Sequence, residues 1–340
     1  MDAALERLRA WLTPSMLVAF VGFASLPLWV EQAGLYSYLT VEILIWCLYA
    51  MGFNLLLGYT GLPSFGHGAF FGIGAYAMGL TQFHLIESLW AGLAVAAGTA
   101  LLAGAVVALF ISHRRGIYFA LMTIAFGEVF FFIASKWTSV TGGEDGLLNI
   151  ARLPLVLGPL QLELRENYHL YYFTLAVFAA TVLLLWRLVH SPFGKVLQAI
   201  RPNETRTRFL GYPVWLYKWA SFSLSAGVAG LAGGLFAMAQ GGAYVQVMNL
   251  QWSGIIVLMT LIGGGMVSFW GPVVGAIVFF LARDVLGALT ETWLLWYGLM
   301  FMTVIMFKPE GLAGLYQDAM RRMRTSRESR PAPLSNVFRK

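Results

Sequence analysis

Two carboxylates stand inside long apolar runs, Glu42 and Glu128. An ionisable side chain at bilayer depth is costly unless it faces other helices or water, so such residues are the first candidates for a solute or ion path. Glu42 lies about one turn into its run and is expected near the membrane interface. Glu128, in T-I-A-F-G-E-V-F-F-F, lies near the middle of its run; it either lines a path or is a satisfied, neutral core acid. Few polar groups accompany it: Asn54, His67, Tyr76 and Thr123. His67 opens an apolar run and reads first as a helix-end residue, second as a ligand-binding group. Before it comes G-Y-T-G-L-P-S-F-G, with Gly58, Gly61, Ser64 and Gly66. Non-helical backbone at membrane depth is tolerated only inside protein or beside a water-filled cavity. Asn54, Gly58, Gly61, Ser64, Gly66, His67 and Glu128 are therefore the candidate translocation path.

Catalytic chemistry has little support. The chain carries no H-E-x-x-H, no nucleophile elbow, no His and Cys cluster at metal spacing and no phosphate-binding G-x-x-x-x-G-K-[ST]. No catalytic residue, metal or cofactor is expected, and the chain reads as something other than an enzyme. The single cysteine, Cys47, sits in an apolar run and reads as a small buried hydrophobe. Asp284 and Glu291 flank a predicted outer turn and are expected to be solvated.

The elements that position these residues follow from composition. The chain of 340 residues is 59% hydrophobic and 11% charged, with a mean hydropathy of +0.72. Soluble domains carry about 25% charged residues. The apolar runs are continuous rather than alternating, which points to a polytopic all-α bundle and away from a β-barrel. Ten spans are predicted, at 16–30, 37–57, 67–83, 89–111, 117–135, 168–188, 215–240, 252–263, 273–289 and 293–307. The first is read as a retained span rather than a signal peptide, because no small-residue cleavage site follows it. With both termini in the cytoplasm, 18 of the 22 Lys and Arg residues fall inside, leaving Lys136, Arg152, Arg165 and Arg283 outside. That bias supports both the count and the orientation. The net charge of +6 is thus read as a topological signal, and no nucleic acid partner is expected.

Two polar intervals interrupt the spans. The outer one, 136–167, contains the alternating L-P-L-V-L-G-P-L-Q-L-E-L, which predicts extended chain or a small hairpin. The inner one, 190–213, contains S-P-F-G-K-V-L-Q-A-I-R-P-N-E-T-R-T-R-F-L-G. Phe193, Val196, Leu197 and Ile200 fall at i, i+3, i+4 and i+7, one face of a helix. Pro202 ends or bends that helix, Asn203 can cap a second one, and Gly211 can close it. Physics alone leaves two readings: a hairpin lying on the lipid surface, or a docking element for a soluble partner.

Gly68 and Gly72, Gly230 and Gly234, and Gly271 and Gly275 are each four apart, a spacing that first of all lets helices pack closely. The stretches G-L-P-S-F-G-H-G and G-M-V-S-F-W-G-P both read as glycine turns feeding a span. Trp29, Tyr36, Trp90, Trp137, Trp186, Trp215, Trp252 and Trp293 sit near span ends, as interfacial aromatics do. Residues 316–340 form a basic tail, expected to be cytoplasmic and partly disordered.

Four stretches carry a resemblance to a known family: N-L-L-L-G-Y-T-G-L-P-S-F-G-H-G-A-F-F-G-I-G-A-Y from Asn54, T-I-A-F-G-E-V through W-T-S-V-T-G-G-E-D-G-L from Thr123 to Leu147, the interval from Ser191 through K-W-A-S-F-S-L-S-A-G-V-A-G-L-A-G-G-L, and F-K-P-E-G-L-A-G-L from Phe307. In these the chain resembles the permease subunits of ATP-binding-cassette importers for branched-chain amino acids, specifically the longer of that system's two permeases. The resemblance runs from the second span to Leu315 and implies a transmembrane permease domain over 1–315. It implies a second, homologous permease, two cytoplasmic ATPase subunits, a periplasmic substrate-binding protein and a setting in the lipid of a bacterial inner membrane. It makes 190–213 the segment that seats on the ATPase, with Phe193, Gly194, Val196, Leu197, Ile200, Arg201, Glu204 and Gly211 as coupling residues. The chain departs from the family pattern at Pro63, at Phe130 to Phe132 and at Pro202. Alternating access driven by ATP is the implied mechanism. Permeases for urea or short amides are similar, and an ion-coupled secondary transporter is the remaining alternative, with Glu128 its one midplane carboxylate.

Overall fold

The computed structural model describes residues 14–30, 32, 36–157, 160–264, 266, 268–307 and 311–314. The basic tail and the N-terminal residues before Pro14 lie outside them. The chain divides into two units, one up to Val257 and one from Leu258.

Ten helices overlap the predicted apolar runs: α1 (Pro14–Val30), α2 (Tyr38–Asn54), α3 (Gly68–His84), α4 (Leu89–Ile111), α5 (Gly116–Lys136), α6 (Asn167–His190), α9 (Val214–Gln240), α10 (Leu250–Gly263), α11 (Gly271–Leu289) and α12 (Trp293–Phe307). Between α6 and α9 lie two short helices, α7 (Pro192–Ile200) and α8 (Glu204–Phe209). By length and composition six helices can cross a bilayer: Tyr38–Thr60, Leu89–Ile111, Gly116–Lys136, Asn167–His190, Val214–Gln240 and Gly271–Leu289. Ala19–Val30, Leu250–Gly263 and Trp293–Phe307 are shorter apolar helices. The chain is an all-α, multi-pass membrane protein.

In the first unit α2 is wholly enclosed and α9 almost so, while α4 and α5 are mostly exposed. α9 is central because it is built of small residues. Gly230 and Gly234 lie against Ala96 and Ala100 of α4, and Gly230 meets Gly74 of α3 backbone to backbone. Helices without a hydrophobic drive between them gain contact this way, so the four-residue glycine spacing is explained by packing. Trp46 of α2 stacks on Phe71 and Trp252 at 5.3 and 4.9 Å. Cys47 is fully buried.

The predicted outer hairpin exists: β2 (Leu155–Leu157) pairs antiparallel with β3 (Leu160–Leu162). A second patch joins β1 (Leu147–Leu148) to β4 (Gly242–Ala243), tying the outer interval to the end of α9. Strands among the described residues are confined to these two patches.

In the second unit Phe279 of α11 packs edge-on to Tyr297 of α12 at 4.9 Å. The glycine turn ending at His67 leads into α3, and residues 268–270 lead into α11. One expectation needs correction. Asp284 is not solvated in a turn: it lies inside α11, five residues before its end, with its side chain 12% exposed and Arg283 Nε 3.0 Å away. Glu42, about one turn into α2, is enclosed by protein.

Candidate functional site

The site is built where α2 stops being α-helical. Residues Leu55–Thr60 continue it as a π-helical turn, closed by Gly61 at φ +76°. A wider turn leaves carbonyls without their usual partners, and such bulges are frequent at functional positions. Hydroxyls fill the gap. Thr60 Oγ1 donates to the Leu55 carbonyl at 2.9 Å and lies 2.8 Å from Ser221 Oγ of α9. One turn along α9, Ser225 Oγ donates to the Gly52 carbonyl at 2.8 Å and lies 2.9 Å from His67 Nε2. With the Ser225 hydrogen committed to Gly52, His67 Nε2 must be the donor to Ser225. The other ring nitrogen, Nδ1, is then a buried acceptor with no hydrogen bond.

His67 is fully buried at the start of α3, in a cage of Tyr49, Phe53, Phe70 and Phe222 with ring centroids 5.2–6.2 Å away. Asn54, at the end of α2, and Ser64, in the glycine turn, are also buried with side chains that make no hydrogen bond. Buried polar groups are normally satisfied. The candidate path residues Asn54, Ser64 and His67 therefore share an unmet demand for polar partners. Gly66 meets α5 so closely that a Cβ would strike the Thr123 carbonyl, and Phe65 N donates to Thr123 Oγ1 at 3.1 Å.

Glu128 is not brought to this cluster. Thr123 and Gly127 form the buried face of α5, and Glu128 lies on its exposed face. A cavity of about 260 Å3 is lined mainly by apolar groups of α3 and α5, among them Ile73, Leu80 and Phe130, with Trp137 just after α5 and Met248. Tyr76 also lines it, and its hydroxyl is buried without a partner.

The α7–α8 hairpin sits next to the π-helical turn. Ser191 precedes Pro192 at the first position of α7, Asn203 caps α8 by accepting from Arg206 N at 2.9 Å, and Gly211 closes it at φ +88°. The apolar face is where the spacing puts it, but it is turned inward: Gly194, Val196, Leu197 and Ile200 are buried. Phe193 stacks on Tyr217 of α9 at 5.5 Å. A Cβ on Gly194 would collide with the backbone of Val189, so α7 folds tightly back on α6. Arg201 reaches the other way: its Nη1 donates to the Gly58 carbonyl at 2.8 Å.

Glu204 gathers three cations. Arg115 Nε is 2.7 Å away, Arg208 Nη2 3.3 Å and Lys218 Nζ 3.5 Å. The Lys218 side chain is 0% exposed and also donates to the Arg114 carbonyl. The hairpin is thereby fastened to the turn between α4 and α5 and to the start of α9. Its outer tip is apolar: Phe209 is 86% and Leu210 69% exposed. Sequence reasoning missed these two, together with Ser221 and Ser225, although the four-residue spacing of the serines in A-S-F-S-L-S-A-G could have marked a polar stripe.

A family model described as "Branched-chain amino acid transport system / permease component" matches residues 35–308. The chain belongs to this family. The permease is 27% identical over 296 residues to the Escherichia coli K12 protein "High-affinity branched-chain amino acid transport system permease protein LivM", covering 80% of this chain and 69% of that one. It is 26% identical to the Salmonella typhimurium protein of the same description, over 79% of this chain and 68% of that one. A Methanocaldococcus jannaschii protein, "Probable branched-chain amino acid transport permease protein LivM", is 22% identical over 79% of this chain and 92% of its own length. No solved structure matches.

Proposed function

We propose that the permease is the membrane subunit of an ATP-driven importer for branched-chain amino acids in a bacterial inner membrane. In this reading residues 1–315 form the transmembrane domain, with ten spans and both termini cytoplasmic. Residues 136–167 face the outside, 190–213 couple to the ATPase, and 316–340 are a cytoplasmic tail. A second permease, two ATPase subunits and a periplasmic binding protein complete the system, and the chain itself hydrolyses nothing.

One observation carries the reading. The α7–α8 hairpin is bonded to the π-helical turn through Arg201 and Gly58 and to two span ends through Glu204, while Phe209 and Leu210 project from its free side. An element anchored to the core on one side and apolar on the other can pass a push inward. The buried face of α7 transmits, and the exposed end of α8 docks. When the ATPase subunits close, the hairpin moves the glycine turn; Asn54, Ser64 and His67 then gain polar partners as the path opens by alternating access. The apolar cavity beside Tyr76 suits an aliphatic side chain better than urea or a small amide.

Reconstitution tests this. Vesicles holding the permease, its companion subunits and the binding protein should accumulate leucine, isoleucine or valine only with ATP. Uptake that ignores ATP and collapses with an uncoupler would favour an ion-coupled transporter and overturn the proposal.

A further inference from the structure

The β2–β3 hairpin lies over one end of a cavity of about 590 Å3, to whose lining it contributes Leu155 and Leu162. The long wall is α6. From His169 to Thr181 its lining residues, Phe173, Ala176 and Ala180 among them, recur at three- and four-residue intervals, one stripe of a helix. At 1.5 Å per residue the stripe makes a slot ~18 Å long. Trp90, at the start of α4, and Leu231 of α9 complete it, with the Trp90 ring 5.9 Å from Phe173. All of these residues belong to the first unit.

The chemistry of the lining, its depth and its volume together select an occupant. Below His169 the side-chain donors are committed to the chain's own carbonyls: Trp90 Nε1 to Val156 at 3.4 Å, the Tyr172 hydroxyl to Ala24 at 3.1 Å and the Thr181 hydroxyl to Val177 at 2.9 Å. A buried water needs two to four polar partners, so the slot suits neither water nor a zwitterion. It opens at the third residue of α6 and descends about as far as the hydrocarbon of one leaflet, half of ~30 Å. A helix of that length, ~10 Å across, would fill ~1,400 Å3 and does not fit. One hydrocarbon chain, ~5 Å across, would fill ~350 Å3 and does. We propose that the slot binds one acyl chain of a phospholipid from the leaflet on the hairpin's side. The lipid is held as a fixed component that packs the hairpin onto α6, apart from the exchanging bilayer. Exposed Arg165 and His169 stand at the mouth, where they meet the headgroup phosphate; Glu166 Oε2 lies 3.9 Å from His169 Nδ1. Lipid tails are as apolar as leucine, so retention comes from contact in a fitted slot and not from a hydrophobic drive. The inference is independent of the solute that the permease carries.

A phospholipid with a diazirine at the end of one acyl chain tests it, in liposomes holding the permease and with adducts mapped by mass spectrometry. Leu102 and Val106 of α4 are exposed and serve as the control, Leu102 lying ~20 Å along its helix and Thr181 ~21 Å along α6. Labelling should concentrate at Ala180, Thr181 and Leu231, at least tenfold above Leu102 and Val106. Equal labelling of both places would mean ordinary bilayer lipid, and no labelling in the slot would mean another occupant; either result overturns the inference. A free fatty acid with the same tag should label the slot at least tenfold less, and equal labelling would overturn the phospholipid assignment. Ala180→Trp fills the slot from an exposed position. Phospholipid retained through mild detergent, read by native mass spectrometry, should fall at least tenfold in this variant and persist in Leu102→Trp. Undiminished lipid in Ala180→Trp would count against the proposal, and the labelling of wild type tests it without any variant having to fold.

Discussion

Arg201 donates to the carbonyl of Gly58 across 143 residues of sequence, at 2.8 Å. Three residues further on, Gly61 adopts φ +76°, and a Cβ there would come within 2.9 Å of Arg201 Cγ. The hairpin and the glycine turn thus meet at a point with no spare room. Gly61→Ala should cost about 1–3 kcal/mol from backbone strain and displace the Arg201 side chain. Thermal unfolding in detergent should show the lower stability, and an unchanged midpoint would contradict the described turn.

If the hairpin docks on an ATPase, its exposed apolar end, Phe209 and Leu210, is the surface that meets it. Replacing Phe209 and Leu210 with Ser should leave the unfolding midpoint unchanged, because both side chains are exposed. If they anchor an ATPase, the loss should be about 2 kcal/mol or more, roughly a thirtyfold weaker association. Pull-down of the ATPase by the purified variant checks this.

Glu204 and Lys218 should respond unequally. Removing the carboxylate leaves the fully buried Lys218 with like charges around it, whereas removing Lys218 leaves Glu204 paired with Arg115 and Arg208. Breaking a buried pair from one side costs about 3–5 kcal/mol; with Arg115 partly exposed, the lower end applies to Glu204→Gln. Lys218→Met should cost less, and adding it to Glu204→Gln should recover stability. Unfolding midpoints of the three variants measure the order.

Ser225 supports both the π-helical turn and His67. Ser225→Ala removes the hydroxyl from the Gly52 carbonyl, which keeps a backbone N–H, and leaves the His67 Nε2 hydrogen without its acceptor, a loss of about 1–3 kcal/mol for that buried group left unpaired. Comparing its unfolding midpoint with that of Ser223→Ala, whose hydroxyl bonds only within its own helix, isolates the effect.

Local chemistry makes much of this legible in the sequence. Pro202, Asn203 and Gly211 act where their backbone preferences place them, and the apolar runs became the apolar helices. What covers an apolar face was not legible. The spacing of Val196, Leu197 and Ile200 says that one side of α7 is hidden from water, and the hiding partner is the chain's own core. For Glu128 the run gave depth but not direction, because Thr123 and Gly127 set the rotation through a turn some sixty residues earlier. The serines of α9 were overlooked because a hydroxyl stripe in a helix has no meaning until a distant π-helical turn supplies the carbonyls.

The central claim is that force enters through the hairpin and leaves through Arg201. The most direct measurement is the number of substrate molecules taken up per ATP hydrolysed by the reconstituted importer, for wild type and Arg201→Ala. The account predicts that ATP hydrolysis persists while this ratio falls at least tenfold, with Arg201→Lys between the two. A ratio equal to wild type in Arg201→Ala would contradict it.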